Sequence, residues 1–238
     1  MKDKKVLIVK NVPREGPGLL RQVLKEKNIN FDIVDLDKGE KFPETRSCPA
    51  VFVFGGSDSA NDQTPKMKDE LKRIKETVDA GVPYFGVCLG MQTLVKANGG
   101  EVYKNPIKEI GFTDPNGNYF EIELTKEGKK DPIFDGIPSP FKIFHLHGET
   151  VRLSNGMTLL ATGKYCTNQV VKVGKNAYGF QGHLELNNTM LKTWIAKDSD
   201  LKSTDPAALM AEYKTLEQDY QNNGRTILTN FLQIAGLI

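Results

Sequence analysis

Gly86-Val87-Cys88-Leu89-Gly90 follows an apolar run at 82–85 and precedes a helical pattern over 91–97. A strand, then Gly-x-Cys-x-Gly, then a helix is the order typical of a nucleophile elbow, a tight turn that lifts one reactive side chain above a sheet. Glycines flank the central residue because the turn needs unusual backbone angles and close packing between helix and strand. The helix start behind Cys88 favours negative charge on its sulfur. We therefore predict that Cys88 is a nucleophile rather than a buried structural cysteine.

The elbow lies within a segment, residues 5–98, in which strand and helix patterns alternate. Strand patterns occur at 6–9, 31–36, 51–54 and 82–85, and the intervening helices end at Asn28 and Gly81. This alternation predicts a mostly parallel central sheet flanked by helices, with right-handed crossovers. Ligands bind such sheets beyond the carboxyl ends of the strands, where Gly55-Gly56 and Cys88 both fall.

The remainder of the chain has a different pattern. Turn-forming residues dominate 101–142, and the predicted short strands lie at 119–124, 141–144, 158–161, 169–173 and 177–181. They indicate a mixed or antiparallel extension of the sheet. Residues 187–238 are predicted to be a helical C-terminal extension, in which Asn222-Asn223-Gly224 ends one helix and another follows. With no repeat and no low-complexity linker, residues 1–238 are expected to form a single α/β domain.

Composition limits the functional classes. The 238 residues carry a formal net charge of +2, with 39% hydrophobic and 26% charged residues. This balance does not indicate a dedicated nucleic-acid or membrane surface, so neither is expected as a partner. Three cysteines without metal-like spacing fit free thiols in a reducing compartment. The apolar run at 6–9 is too short for a signal peptide and no run is long enough to span a membrane, so a cytoplasmic location is expected.

No cofactor and no metal are expected. His145 and His147 alternate and can share one face of a strand. A metal site there needs a third ligand, which the sequence does not mark.

A cysteine nucleophile needs a base, and the base needs a group that orients it. His183 follows a predicted strand, and in an extended chain Glu185 projects to the same side as His183. We therefore predict a Cys88–His183–Glu185 triad. The backbone N–H of Leu89 follows the nucleophile, and Gly56 ends a neighbouring strand, so these two are the predicted donors to a developing oxyanion.

Three motifs carry a resemblance to a known family. They are Val53-Phe54-Gly55-Gly56, Gly86-Val87-Cys88-Leu89-Gly90-Met91-Gln92, and Gly179-Phe180-Gln181-Gly182-His183-Leu184-Glu185. In order and spacing, over residues 5–186, the chain resembles the class I glutamine amidotransferases, the triad family with a flavodoxin-like fold. It is most similar to the stand-alone, GMP-synthase-like branch, because no synthetase domain and no P-loop pattern follow.

The resemblance implies hydrolysis of L-glutamine, or of another γ-glutamyl compound, through a thioester on Cys88, with ammonia passed to a separate synthetase subunit. His183 would act as base and then acid, oriented by Glu185. The substrate-binding residues implied by the same resemblance are Gly55, Gln92, His147, Gly148 and Gln169.

One departure from the family pattern leaves alternatives open. The last motif reads Gln181-Gly182-His183-Leu184-Glu185, where the family often has Gln-Phe-His-Pro-Glu. The small Gly182 is expected to loosen the loop and make room for a larger leaving group. A γ-glutamyl peptide or conjugate hydrolase with the same triad is therefore one alternative, and a non-catalytic regulatory protein on the same fold is the other.

Overall fold

A computed structural model describes residues 5–114 and 116–238. Within these ranges the main sheet has nine strands in the order β2-β1-β3-β4-β11-β10-β9-β6-β7. The strands are β1 (Val6–Lys10), β2 (Phe31–Asp35), β3 (Val51–Val53), β4 (Tyr84–Val87), β6 (Glu121–Leu124), β7 (Phe141–Lys142), β9 (Met157–Gly163), β10 (Val170–Val173) and β11 (Ala177–Phe180). The pairs from β2 to β11 are parallel and the remainder are antiparallel. The predicted α/β architecture with a mixed extension is confirmed.

Helices cover both faces of the parallel half. They are α1 (Gly18–Glu26), α2 (Pro65–Asp79), α3 (Leu89–Ala97), α4 (Asn188–Lys197), α5 (Ser199–Lys202) and α6 (Pro206–Ile234). Alternate residues of a strand face opposite sides of the sheet, which explains the two helical layers. Val6 and Phe52 pack with α1 and α6 on one face. Leu7 and Val53 pack with α2 and α3 on the other face. None of the helices in the described residues is both long and apolar enough to cross a membrane.

A second sheet was not predicted. Strands β5 (Glu101–Gly111) and β8 (His145–Arg152) pair antiparallel as a two-stranded ribbon, the β5–β8 ribbon. The pairing is interrupted between Lys104 and Glu109, where β5 contains extra residues. This bulge and its Asn105-Pro106 sequence hide the period-2 pattern by which a strand is normally recognised.

The predicted helix end at Asn222-Asn223-Gly224 is wrong, since α6, which is 29 residues long, continues through these positions. Gly224 is buried, and a Cβ atom on it would lie 2.4 Å from the Leu184 carbonyl oxygen. The glycine therefore allows α6 to pass close to the backbone beside His183. Its low helix propensity is overridden by tertiary packing.

Candidate active site

Cys88 lies between β4 and α3 in a conformation that few non-glycine residues adopt, with φ of 53° and ψ of −108°. Neighbouring glycines make the turn sterically feasible. A Cβ on Gly86 would lie 2.3 Å from the Gly90 carbonyl oxygen, and one on Gly90 would lie 2.1 Å from that of Val53. The Cys88 N–H donates to the Phe180 carbonyl at 2.7 Å, which attaches the turn to β11. This is the local geometry expected of a nucleophile elbow.

The imidazole of His183 is held from two directions. Its Nδ1 lies 2.8 Å from Oε1 of Glu185, and Oε2 of the same carboxylate accepts the Leu184 N–H at 2.9 Å. The edge-on ring of Trp194 packs against it, with centroids 4.8 Å apart. All four residues are buried. The structure therefore brings His183 and Glu185 together as predicted, and Nε2 remains for the reaction.

Helix α6 supports the backbone at the same point. The Tyr220 hydroxyl donates to the His183 carbonyl at 2.9 Å and accepts the Leu186 N–H at 3.2 Å. The helical extension thus contacts the chain on both sides of Glu185.

Electrostatics favour the charged form of His183. Burial opposes that charge, but attraction to Glu185 and hydrogen bonds with Cys88 and Glu185 outweigh it and raise the pKa of the imidazole well above its usual value. An imidazole so placed is well suited to take a proton from a thiol and return it to a leaving group.

Gly56, one of the two residues predicted to supply oxyanion donors, is closely packed beside the other. A Cβ on Gly56 would lie 2.7 Å from Cβ of Asn11 and 3.0 Å from Cδ2 of Leu89. Leu89 is the first residue of α3. The amides of a first helical turn have no intrahelical acceptor, so its N–H is free to bind an anionic oxygen.

Cys88 opens into a cavity of about 350 Å³. Four of the other predicted site residues line it: Gly56, Gln92, His147 and Gly148. The remaining lining is Glu149, which directly follows the predicted His147-Gly148, and six residues that sequence reasoning missed: Ser57, Asp58, Ser59, Lys104, Lys108 and Leu146. The two lysines flank the bulge of β5, a strand that the sequence did not reveal.

Gln92 connects the elbow helix to the β5–β8 ribbon. Its Nε2 donates to the Glu149 carbonyl at 3.1 Å and lies 3.4 Å from Oε1 of Gln181. The Nε2 of Gln181 is in turn 3.9 Å from the Cys88 sulfur. The amide side chains therefore form one wall of the site.

Two predicted substrate-binding residues do not line this cavity. A Cβ on Gly55 would meet the Glu15 carboxylate at 2.0 Å and the His183 ring at 3.1 Å, so Gly55 leaves space for these side chains. Gln169 is 1% exposed, and its amide donates to Glu109 at 2.7 Å. The structure gives Gln169 a place behind the ribbon rather than beside Cys88.

Glu15 is a carboxylate that sequence reasoning did not single out. Burial raises its pKa to about 6, and the nearby Glu185 charge adds to this effect, although attraction to His183 opposes it. Its Oε2 has no hydrogen-bond partner in the described residues. Its Oε1 lies 3.8 Å from a guanidinium nitrogen of Arg14. A buried carboxylate with one unpartnered oxygen therefore lies next to the His183–Glu185 pair.

The expectation of extra room at Gly182 is wrong. A Cβ there would lie 2.9 Å from Cγ2 of Ile143, so the Ile143 side chain occupies the space that a larger residue would fill. Leu184, which stands where the family often has proline, is buried in the hydrophobic core.

The histidines of the ribbon have a third polar neighbour that the sequence did not mark. Nε2 of His147 lies 2.8 Å, and Nδ1 of His145 3.5 Å, from Oε2 of Glu109. Burial is the main cause that lowers the pKa of His145 to about 3, against the attraction of Glu109. The sequence carried no signal for this cluster, because only the β5–β8 pairing places Glu109 opposite His147.

Comparison with known proteins shows the family to which the chain belongs. The family model "Glutamine amidotransferase class-I" matches residues 18–201. The glutamine amidotransferase-like protein YfeJ of Salmonella typhimurium is 31% identical over 148 residues, 60% of this chain and 59% of that protein. A GMP synthase [glutamine-hydrolyzing] of Clostridium novyi is 26% identical over 89% of this chain, which spans only 40% of the synthase.

Two further similarities concern substrate and fold. A gamma-glutamyl-L-1-hydroxyisopropylamide hydrolase of a Pseudomonas species is 29% identical over 140 residues, 58% of this chain and 47% of that protein. The crystal structure of a glutamine amidotransferase from Thermotoga maritima superimposes with a TM-score of 0.85 at 28% identity, covering 99% of both chains.

Proposed function

Because this chain belongs to the class I glutamine amidotransferase family, we propose that it hydrolyses the side-chain amide of glutamine through a thioester on Cys88. The observation that carries the proposal is the placement of Cys88 on a strained turn that opens into a cavity, with the buried His183–Glu185 pair hydrogen-bonded behind it. Nucleophile, base and orienting carboxylate are the three groups that acyl transfer requires.

The proposed reaction has two halves. His183 accepts the thiol proton as the Cys88 sulfur attacks the amide carbon, and the N–H groups of Leu89 and Gly56 stabilise the oxyanion. His183 then protonates the leaving nitrogen, the C–N bond breaks and ammonia departs, which leaves a γ-glutamyl thioester. Water, deprotonated by His183, attacks the thioester, and glutamate leaves as Cys88 regains its proton. Glu185 orients the imidazole and stabilises its positive charge throughout.

The amino-acid end of glutamine is proposed to bind along the ribbon side of the cavity. His147 and Gly148 line that side, and Gln92 hydrogen-bonds the Glu149 carbonyl there. Lys104 supplies positive charge at the same cavity, which suits the α-carboxylate of the substrate, whereas Lys108 is paired with Asp200 at 2.9 Å.

Ammonia is proposed to pass to a separate synthetase subunit. The support is the similarity to a GMP synthase, of which this chain spans 40%.

A γ-glutamyl conjugate hydrolase is the second candidate. The similarity to the Pseudomonas hydrolase favours it. The space beside His183 does not, because Ile143 fills the position that Gly182 vacates. Both candidates share the thioester and differ in the leaving group.

Glutamate release by purified protein tests the proposal, with L-glutamine and γ-glutamyl alkylamides as parallel substrates. Wild type should release glutamate and ammonia from glutamine, and Cys88→Ala should not. Cys48→Ala is the matched control, because it removes a half-buried thiol that does not line the cavity. Cys88-dependent release from the alkylamides alone would establish the second candidate. Cys88-independent release from every substrate would contradict both.

A further inference from the structure

Three buried side chains form a polar cluster on the β5–β8 ribbon: Glu109, His145 and His147. The ribbon pairs Glu109 with His147 and Gly111 with His145, so the three groups meet on one face. One ligand atom from each lies within 4.8 Å of the others. The proposed glutaminase reaction uses neither Glu109 nor His145.

The hydrogen bonds of His147 leave a conflict in this cluster. Its Nδ1 is 3.1 Å from the Glu149 carbonyl oxygen, which can only accept, so Nδ1 carries a hydrogen. In the neutral ring Nε2 then presents a lone pair, and it lies 2.8 Å from a Glu109 carboxylate oxygen. Two acceptors at this distance repel each other. A positive charge is needed between them, supplied by a second proton on the ring or by a metal ion.

His145 distinguishes the two solutions. Its side chain is fully buried, and neither ring nitrogen has a hydrogen-bond partner in the described residues. A buried imidazole without partners is costly. A second proton on His147 would give neither ring nitrogen of His145 a hydrogen-bond partner. A metal ion would give a partner to Nδ1, which already lies 3.5 Å from the Glu109 oxygen, and would leave only Nε2 without one.

We propose that Glu109, His145 and His147 bind a divalent transition metal of the Zn²⁺ class. Two imidazoles and one carboxylate are ligands that Zn²⁺ accepts. The outer contacts of His147 and Glu109 also fit, since ligating histidines usually donate their second N–H to a carbonyl and ligating carboxylates are themselves hydrogen-bonded. Glu149 supplies that carbonyl for His147, and Gln169 donates to Glu109 at 2.7 Å.

Metal binding at this position would act on the neighbouring active-site cavity. His147 lines the cavity and carries the next two lining residues, Gly148 and Glu149. The ion would link these residues to β5 next to the bulge of that strand. The bulge positions Lys104 and Lys108 at the cavity. The proposed role is therefore to hold the substrate-binding side of the cavity in one register.

Titration of chelator-treated protein with Zn²⁺ and Co²⁺ tests the proposal without any activity assay. We expect one ion per chain, a Co²⁺ spectrum without thiolate-to-metal charge transfer, and a higher thermal midpoint with Zn²⁺. His145→Phe and Glu109→Gln should abolish this binding, and Gln169→Leu should weaken it about tenfold because Gln169 only orients a ligand.

Two control variants separate the cluster from the triad. Cys88→Ser and His183→Gln alter the buried thiol and imidazole of the candidate active site, which lie outside the cluster, and should leave Zn²⁺ affinity unchanged. Glu109→Gln is nearly isosteric, and circular dichroism establishes that each variant is folded. The proposal is overturned if wild type binds no Zn²⁺, if Glu109→Gln binds as wild type does, or if binding is lost in Cys88→Ser. Absence of binding would leave the second proton on His147 as the source of positive charge.

Discussion

Two histidine–carboxylate pairs in this molecule have the same spacing and different surroundings. Nδ1 of His183 lies 2.8 Å from Glu185, and Nε2 of His147 lies 2.8 Å from Glu109. The second nitrogen of His183 faces a cysteine on a strained turn, whereas that of His147 is bonded to a backbone carbonyl. The first pair can therefore exchange a proton with a nucleophile, and the second cannot. The difference shows that the partner of the second ring nitrogen, rather than the contact with the carboxylate, decides what such a pair does.

The largest expected effect is on turnover. Cys88→Ala and His183→Ala should each lower kcat for glutamine hydrolysis by roughly 10⁴-fold or more, because nucleophile and base act as one unit. Steady-state glutamate release measures both. Comparable activity in either variant would remove it from the triad. The double variant should be no worse than the more damaging single one.

The two carboxylates give the direct test of the comparison. Glu185→Gln should lower kcat by roughly 10²- to 10³-fold, because it removes the charge that supports the His183 imidazolium. Glu109→Gln makes the same chemical change on the ribbon and should raise KM more than it lowers kcat, because His147 lines the cavity without meeting the reacting atoms. Equal losses of kcat in the two variants would break the distinction.

Close packing around the triad is tested by Gly224→Ala. The added methyl group would meet the Leu184 carbonyl at 2.4 Å, and a backbone group cannot move aside cheaply. The free energy of unfolding should fall by roughly 3 kcal/mol, as for other overpacked sites. Asn223→Ala, one residue earlier on the same helix, is the control and should change stability little. Urea denaturation compares them, and a neutral Gly224→Ala would mean that the glycine has no packing role.

Glu15, which lies beside the His183–Glu185 pair, should make the free energy of unfolding depend on pH. Its pKa is raised to about 6, mainly by burial, so the folded state holds its proton more tightly than the unfolded state. This tighter binding of the proton contributes on the order of 2 kcal/mol to the free energy of unfolding. The contribution is present below about pH 4.5 and is lost as pH rises through about 6. Glu15→Gln should remove that part of the pH dependence and be the more stable protein at pH 7. Parallel pH profiles of wild type and variant would contradict the assignment.

The smallest effect is expected at Gln92. Gln92→Ala removes the amide that hydrogen-bonds the Glu149 carbonyl and lines the cavity. KM for glutamine should rise about tenfold, with kcat changed less. An unchanged KM would place glutamine elsewhere in the cavity.

The local parts of the site could be predicted from the sequence because each depends on neighbouring residues. The elbow needs glycines on both sides of Cys88, and the His183–Glu185 pair needs only an extended chain. The start of α2 is local in the same way: the Thr64 hydroxyl accepts the Met67 N–H at 3.2 Å, and Pro65 is the first helical residue.

The incorrect or missing predictions all concern contacts between distant segments. Gly224 resembles a helix end in isolation and is instead a contact with Leu184. Gly182 suggests empty space until Ile143 is seen to fill it. Glu109 is one acidic residue among many until β5 pairs with β8.

The sequence by itself determined the parallel sheet, the elbow and the residue types of the candidate triad, because periodicity, turn geometry and residue type act over a few neighbouring positions. Only the tertiary structure decided which side chains meet across strands: Glu109 with His147, Gln92 with Glu149, and Tyr220 with the His183 backbone. These contacts join residues up to about 60 positions apart, where close packing rather than local propensity selects the neighbour.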